Sequence, residues 1–217
     1  MKVLIVLGGD APGVELLKAC ADEADFSIAA DRGLEAFDAA GLEPDMLVGD
    51  MDSVSQNVLA RYESRLSEDR LNCIKNDTDC EYALNLAISR GATEIVLLGA
   101  LGGRLDHALA NLMMVVHAAR RGVWAEIRAE GVQIVRINES YTLTGAKGST
   151  VSLLPLGEAR GISVRGCYYT IEDFTLASDT SRGVSNVVTA DEAVFTVREG
   201  DLMLFHYSDI HGHGESA

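Results

Sequence analysis

The 217-residue sequence is poor in basic side chains: 18 lysines and arginines stand against 33 aspartates and glutamates, which gives a formal net charge of −15. Such an excess of negative charge repels a phosphate backbone at long range, so neither nucleic acid nor an anionic membrane is an expected partner. A metal ion or a cationic ligand suits this surface better, although an acidic surface also serves solubility alone. The composition therefore argues against anionic partners and leaves two explanations open, binding of a cation and solubility alone.

Cysteine motifs and long apolar runs are also missing. Cys20, Cys73, Cys80 and Cys167 have neither CxxC nor CxxH spacing, so we expect reduced core thiols rather than a zinc site or a disulfide framework. The apolar part of the N-terminal segment MKVLIVLGGDAPG is shorter than a signal-peptide core. No stretch approaches the roughly 20 apolar residues of a membrane span. We therefore expect a cytoplasmic protein with no membrane partner.

The sequence pattern differs between the first and second parts of the chain. Over residues 1–134, β-rich runs alternate with apolar residues at helical spacing, which predicts an α/β domain with a mainly parallel sheet. From residue 135 to 217, short alternating runs are separated by Gly, Asn and Asp, which is typical of an all-β sandwich. The predicted strands of the first domain are residues 3–7, 26–30, 46–48, 71–74, 95–98 and 124–128.

Acidic residues follow three of these predicted strands: Asp31, then Asp50 and Asp52, then Asp77 and Asp79. Open parallel sheets bind ligands beyond the carboxyl ends of their strands, so these side chains are expected to converge. Because grouped carboxylates repel one another unless a cation neutralises them, Mg²⁺ is the expected partner.

Two of these segments have simpler interpretations as well. In GDMDS, Asp50 and Asp52 would point the same way if the segment is extended, but this pattern taken alone favours a solvated turn in which the two side chains bond nearby backbone N–H groups. In NDTDCE, the Thr78-x-x-Glu81 spacing fits a capping box. That would put Asp79 in the first turn of a helix and leave Asp77 free.

A glycine-rich turn precedes a predicted helix at residues 99–111, GALGGRLDHALAN. Gly102 and Gly103 allow a phosphate to approach the backbone, while Arg104, with Asp106 and His107 close behind it, lies where helix N–H groups can help to bind an anion. Taken alone, the glycine-rich segment is only a turn. Beside a carboxylate cluster that binds a metal ion, it would supply the phosphate-binding part of a metal–nucleotide site. The earlier GGDAPG fits neither GxGxxG nor GxxxxGK[ST], and it predicts a strand-to-helix turn with Pro12 in the first helical turn.

Five segments in order resemble the thiamin pyrophosphokinase family: AADRG (29–33), PDMLVGDMDS (44–53), KNDTD (75–79), GGRLDH (102–107) and SRGVSN (181–186). The resemblance implies an α/β catalytic domain followed by a β-sandwich, in a homodimer with active sites at the subunit interface. It also implies a Mg²⁺-dependent enzyme that transfers diphosphate from ATP to the hydroxyl of thiamin and releases AMP.

Carried over position by position, the resemblance implies roles for individual residues. Asp50, Asp52 and Asp79 would bind Mg²⁺, with Asp31 and Asp77 nearby. Arg104 would contact the ATP phosphates beside Gly102, Gly103 and His107, and Asp106 would lie near the acceptor. Ser185 and Asn186 would bind thiamin from the β domain.

Two positions depart from the family pattern: Arg32 stands where many members have glycine, and Asn76 stands where an acidic residue is frequent. The sequence also identifies no aromatic residue that would stack on thiamin. Two alternatives stay open, a pyrophosphokinase for another heterocyclic alcohol such as a hydroxymethylpterin, and a non-catalytic nucleotide or metal sensor. The SRGVSN segment favours thiamin over the pterin.

Overall fold

The computed structural model describes residues 1–66 and 78–211. Its contacts divide the chain into one unit that spans Met1–Glu130 and a second that begins at Gly131. The predicted boundary between residues 134 and 135 falls inside the first strand of the second unit. None of the helices in the described part of the chain combines the length and the hydropathy that crossing a membrane requires.

Among its described residues, the first unit contains five strands and five helices. The strands are β1 (Lys2–Val6), β2 (Phe26–Ala30), β3 (Met46–Val48), β4 (Glu94–Leu98) and β5 (Trp124–Ala129), and the helices are α1 (Val14–Glu23), α2 (Gly33–Ala40), α3 (Gln56–Leu66), α4 (Asp79–Ser89) and α5 (Leu105–Ala119). Five of the predicted strands are confirmed to within one residue at either end, whereas the one predicted at residues 71–74 lies outside the described residues.

The strands of this unit form a parallel sheet in the order β3-β2-β1-β4-β5. Helices cover both faces of such a sheet, which is why its central strands are continuous apolar runs. The side chains from Val3 to Val6 and from Ile95 to Leu98 are accordingly almost fully buried. After β1 the chain adds β2 and β3 on one side, and β4 and β5 then add on the other. The crevice between the carboxyl ends of β1 and β4 is therefore where a ligand is expected.

The prediction that Pro12 lies in the first turn of α1 is wrong. The helix begins at Val14, and Gly13 is its N-cap in a non-helical conformation (φ −59°, ψ 150°). The Gly13 N–H is bonded to Glu130 Oε1 at 3.0 Å, so a contact distant in sequence satisfies it at the helix start.

Within residues 131–211, the second unit contains strands and no helix, as expected. Its strands are β6 (Val132–Ile137), β7 (Ser140–Thr144), β8 (Ser149–Arg165), β9 (Ile171–Ala177), β10 (Asn186–Val187), β11 (Glu192–Thr196) and β12 (Glu199–His211), and all their pairings are antiparallel. The long strand β8 belongs to two sheets, because its first part pairs with β12 and β10 and its last part with β9 and β11.

The runs STVSLLPL and GISVRG, which look like separate strands in the sequence, are therefore one strand. Gly157 (φ 90°) and Gly161 (φ 68°) adopt left-handed conformations within it, and the register with β9 shifts between Ala159 and Ile162. Glycine pays no Cβ penalty in that region, so the chain can bend from one sheet to the next without ending the strand.

Candidate functional site

Two glycine loops meet at the carboxyl ends of β1 and β4. The Gly9 N–H donates to Gly99 O at 2.9 Å, and the Asp10 N–H donates to Leu101 O at 2.7 Å. The left-handed backbone of Gly102 (φ 83°) favours glycine, and a Cβ there would lie 2.0 Å from the carboxyl carbon of Asp10, so a larger residue would also require the Asp10 side chain to move. The loop of the GGRLDH segment is thus closed against the loop of the GGDAPG segment, a pairing that neither motif reveals by itself.

The acidic residues after β2 and β3 come together. One carboxylate oxygen from each of Asp31, Asp50 and Asp52 lies within 4.8 Å of the other two. The two strand ends are joined by the Asp31 N–H, which donates to Val48 O at 2.8 Å. The convergence expected from the sequence therefore exists for these three side chains, because β2 and β3 are neighbours in the sheet.

Asp31 is the most enclosed member of this acidic cluster. Its Oδ2 accepts a hydrogen bond from Ser53 Oγ at 2.5 Å, while its Oδ1 is buried and has no hydrogen-bond partner among the described residues. Burial is the main cause that raises the pKa of Asp31; the charges of Asp79 and Asp50 add to this effect, and the Ser53 bond opposes it. A buried, unsatisfied acceptor among like charges is an environment that a bound cation would stabilise.

The GDMDS segment is not extended, and that premise of the sequence analysis is wrong. Met51 adopts a left-handed conformation (φ 61°) and its side chain is buried, with 1% of its surface exposed. The Asp52 N–H donates to Asp50 Oδ1 at 3.2 Å, so the turn alternative is also present. Burial of Met51 anchors the turn, and both carboxylates face solvent on either side of it. The Asp50 charge is the main cause that raises the pKa of Asp52.

Asp79 lies beside this cluster rather than in it. It opens α4, and the capping box is confirmed on one side, since Thr78 Oγ1 accepts from the Glu81 N–H at 3.2 Å. A Cβ built on Gly49 would be 3.3 Å from Asp79 Oδ1 and 3.4 Å from Asp31 Cβ, so these two aspartates flank the same glycine. Asp77, the remaining predicted acidic residue, lies outside the described residues.

The residues present fit a divalent metal ion. Carboxylate oxygens are the ligands that Mg²⁺ prefers, and this ion usually takes only one or two of them while keeping several waters. The three close carboxylates of the cluster provide enough oxygen ligands for this, and one of their oxygens, Asp31 Oδ1, has no other hydrogen-bond partner among the described residues.

Arg104 and Asp106 are paired with each other. Arg104 is the N-cap residue of α5, and its guanidinium donates to both Asp106 oxygens, at 3.1 and 2.6 Å. The Arg104 bond is the main cause that lowers the pKa of Asp106 to about 2, and the His107 N–H at 3.1 Å also lowers it. Asp106 is therefore a carboxylate at neutral pH and a weak base. Arg104 and Asp106 are largely exposed, at 72% and 63% of their side-chain surface, so a ligand can reach them.

A cavity of about 400 Å³ connects these features within the first unit. Its walls include the two glycine loops, Asp31, Asp79, Arg104 and His107, together with two residues that the sequence analysis did not assign to the site, Arg32 and Asn111. The Asn111 amide donates to Ala100 O at 2.8 Å and so supports the loop after β4. Its place in the second turn of α5 gave no local signal, because only the sheet order brings that turn to the cavity.

In the second unit, the structure locates Ser185 and Asn186. Ser185 has a left-handed backbone (φ 62°), and its N–H donates to Ser152 Oγ at 3.0 Å. The Asn186 side chain spans the backbone of Tyr169: its Oδ1 accepts from the Tyr169 N–H at 3.0 Å, and its Nδ2 donates to Tyr169 O at 2.7 Å. The SRGVSN segment is thereby fixed beside the turn that carries two tyrosines.

Those tyrosines are aromatic residues that the sequence analysis missed. Tyr168 and Tyr169 are 70% and 65% exposed, and their rings meet edge to face with centroids 4.9 Å apart. A cavity of about 350 Å³, lined mainly by apolar side chains, lies next to them and is bordered by Tyr169, Asn186 and Arg182. The two-residue YY signal was available in the sequence, but its connection to Asn186 depends on hydrogen bonds between residues 17 apart.

Two family models match the chain. "Thiamin pyrophosphokinase, catalytic domain" covers residues 17–127, and "Thiamin pyrophosphokinase, vitamin B1 binding domain" covers residues 133–202. A curated relative, the thiamine pyrophosphokinase of Bacillus subtilis (strain 168), is 22% identical over 209 residues, which are 94% of this chain and 98% of that protein.

Solved structures show the same fold. The crystal structure of thiamine pyrophosphokinase from Bacillus subtilis aligns with a TM-score of 0.86 at 21% identity, covering 97% of this chain and 100% of that one. The thiamin pyrophosphokinase from Geobacillus thermodenitrificans gives 0.82 at 27% identity, with 96% and 98% covered. The yeast thiamin pyrophosphokinase gives 0.79 at 16% identity, with 95% and 86% covered.

Proposed function

The chain belongs to the thiamin pyrophosphokinase family, and we propose that it transfers a diphosphate group from ATP to the hydroxyl of thiamin, forming thiamin diphosphate and AMP. Two features of one unit carry this proposal. The Asp31, Asp50 and Asp52 carboxylates are grouped together, and two glycine loops are hydrogen-bonded to each other at the carboxyl ends of β1 and β4. A metal–nucleotide complex needs both halves of such a site.

We propose Mg²⁺ as the cofactor, held by Asp50 and Asp52 together with Asp31. Asp79, which flanks Gly49 with Asp31, belongs to the same proposed set. When bound, the ion would neutralise phosphate charge and so favour attack on the phosphorus. The carboxylates themselves keep the ion at the carboxyl edge of the sheet, where the buried Met51 fixes the position of the turn.

Other residues of the first unit act on the nucleotide in this proposal. The N–H groups of Gly102 and Gly103 and the guanidinium of Arg104 bind phosphate oxygens, and His107 lies in the same cavity wall. Attack by the thiamin hydroxyl on the β-phosphorus passes through a loose transition state, so positioning and charge neutralisation supply most of the rate enhancement. A strong base is not required. With its low pKa, Asp106 is better suited to orient Arg104 or a cationic acceptor than to remove a proton.

The acceptor is assigned to the second unit. We propose that Ser185 and Asn186 bind thiamin, and that an exposed tyrosine of the adjacent turn, Tyr169, stacks on one of its rings. An aromatic face attracts a cation such as thiazolium, and stacking also suits a planar heterocycle. Because Asn186 fixes the backbone of Tyr169, loss of the amide should weaken acceptor binding even if the ring is retained.

We also propose a homodimer in a reducing compartment such as the cytoplasm. Leu105, Leu109 and Met113 form an exposed apolar stripe at four-residue spacing on α5, a surface that a second copy of the chain would bury. Cys20, Cys80 and Cys167 are buried free thiols, consistent with reduced cysteines, whereas Cys73 lies outside the described residues.

The experiment is to incubate the purified protein with ATP, Mg²⁺ and a panel of alcohols that includes thiamin and a hydroxymethylpterin. We expect AMP and thiamin diphosphate in equal amounts, and none when Mg²⁺ is removed with a chelator. Formation of ADP, or AMP production that follows the pterin and not thiamin, would contradict the proposal. Binding of ATP without turnover of any alcohol would favour the sensor instead.

A further inference from the structure

Arg32 is a second arginine in the wall of the 400 Å³ cavity and lies next to the acidic cluster. No motif in the sequence predicts a role for it. It follows Asp31 directly and is the N-cap residue of α2. A Cβ built on Gly33 would lie 1.9 Å from Val6 O, so the start of α2 presses closely against β1. The backbone that carries Arg32 is therefore fixed by the core of the sheet.

The stem of Arg32 lies over the first glycine loop. A Cβ added to Gly8 would lie 2.9 Å from Arg32 Cβ, which places the arginine directly against the loop that follows β1. The side chain is 54% exposed, so the guanidinium has access to solvent and to a ligand in the cavity. The Cβ of Arg32 is thus held against the glycine loop, while its guanidinium is exposed.

The present partner of Arg32 holds it weakly. Its Nε is 3.8 Å from Glu35 Oε2, which is longer than a hydrogen bond. Arg104, in contrast, makes two charge-assisted hydrogen bonds with Asp106, at 3.1 and 2.6 Å. A ligand must compete with Asp106 for Arg104, but it meets little competition for Arg32.

The charges around the cavity favour an additional cation at the position of Arg32. The carboxylates of Asp31 and Asp79 line the same cavity and would repel a polyphosphate, and Arg104 shares its charge with Asp106. A planar guanidinium can bind two phosphate oxygens at once, and its attraction is strongest where it is not already neutralised.

We propose that Arg32 is a phosphate-binding residue of the nucleotide site and that its guanidinium moves from Glu35 to a phosphate oxygen of ATP. The inference rests on the proposed function, in that it takes the cavity of the first unit to be the nucleotide site. It concerns Arg32, which stands where many members of the family have glycine.

Three variants and one matched control test the assignment. Arg32→Gln removes the charge and keeps most of the stem, Arg32→Lys keeps the charge and loses the planar fork, and Glu35→Gln removes the competing carboxylate while leaving an acceptor for the Ser55 N–H at 2.9 Å. The control is Arg160→Gln in the second unit, since Arg160 is similarly exposed (59%) and paired with Glu158. Affinity for Mg²⁺–ATP is measured by calorimetry without acceptor, alongside the KM for ATP, kcat and the melting temperature.

We expect Arg32→Gln to weaken ATP binding and to raise the KM for ATP about ten-fold, with a smaller effect of Arg32→Lys, because one charge-assisted contact is lost. Glu35→Gln should bind ATP as tightly as the wild type or more tightly, and Arg160→Gln should be unchanged. If Arg32→Gln binds ATP within about two-fold of the wild type, the assignment is wrong. It is equally wrong if Glu35→Gln weakens binding and lowers the melting temperature as much as Arg32→Gln, since the pair would then be structural. Failure of the proposed function is a separate result, seen as absence of AMP formation by the wild type even where ATP binding depends on Arg32.

Discussion

A buried carboxylate oxygen that lacks a hydrogen bond costs free energy, and Asp31 Oδ1 is such an atom within the described ranges 1–66 and 78–211. The backbone of Asp31 is also left-handed (φ 50°), as is that of Met51 between the other two carboxylates of the cluster (φ 61°). Non-glycine residues adopt this conformation only when the surrounding structure requires it, and such residues concentrate at ligand sites. Left-handed backbone at Asp31 and Met51, mutual repulsion of the carboxylates and the unsatisfied Asp31 Oδ1 therefore occur together at this cluster, and a bound cation would offset the repulsion and supply the missing partner.

Replacement of Asp50 or Asp52 by asparagine should separate metal binding from folding. Both side chains are exposed, so the variants should fold, and without metal they should melt at or above the wild-type temperature because repulsion within the cluster falls. Turnover should drop on the order of 100-fold, as for the loss of one electrostatic stabiliser of a transition state. The measurements are kcat and thermal melting with and without Mg²⁺. An exposed aspartate on α1, Asp22, gives the control variant Asp22→Asn. Activity within a few-fold of the wild type in both cluster variants would refute the metal assignment.

At the scale of single elements, helix starts position much of the site. Arg32 and Arg104 are the N-cap residues of α2 and α5, and α4 begins at Asp79 behind the Thr78 cap. Of these three caps, only Thr78 accepts a hydrogen bond with its side chain. The other two N-cap side chains are cationic and line the cavity, and Arg104 also bonds Asp106 in the first turn of its helix.

The Thr78 cap gives a prediction for α4. Thr78→Ala removes the acceptor for the Glu81 N–H and should lower the free energy of unfolding by about 1 kcal/mol, whereas Thr78→Ser should be close to the wild type. Since Asp79 is the first residue of this helix, fraying at the cap should also weaken Mg²⁺-dependent activity. Urea unfolding and kcat measured on both variants check the two effects. Equal stability of the alanine and serine variants would show that the cap bond contributes nothing.

At the scale of the whole molecule, nucleotide binding and acceptor binding are proposed for different units. The acidic cluster, the glycine loops and both cavity arginines belong to Met1–Glu130, whereas Tyr169, Ser185 and Asn186 belong to the unit that begins at Gly131. Each unit has its own buried core, with Leu4, Ile5 and Leu97 in the first and Phe195, Leu202 and Ile162 in the second. This organisation makes the assignment of nucleotide and acceptor testable by cutting the chain.

A fragment that ends at Glu130 should bind Mg²⁺–ATP and should not use thiamin, because Tyr169, Ser185 and Asn186, which are proposed to bind thiamin, lie beyond the cut. Circular dichroism and a cooperative melt establish that the fragment is folded before binding is measured by calorimetry. The matched full-length variant Asn186→Ala should keep ATP binding and raise the KM for thiamin. Saturable thiamin turnover by the folded fragment would show that the β unit is not part of the site.

The sequence by itself determined the elements and the chemical types at their ends. Apolar runs bounded by Gly and Asp marked β1 to β5, and the Thr78-x-x-Glu81 spacing marked the start of α4, since periodicity and capping are properties of neighbouring residues. Only the tertiary structure decided which side chains meet. Asp31 joins Asp50 and Asp52 because β2 and β3 are neighbours in the sheet, and Asn186 holds Tyr169 through bonds between residues 17 apart. Arg32 faces the cavity because α2 begins against β1, and the left-handed turn at Met51 depends on burial of its side chain. Contacts between distant segments are set by strand order and packing, which leave no periodic trace in a single chain.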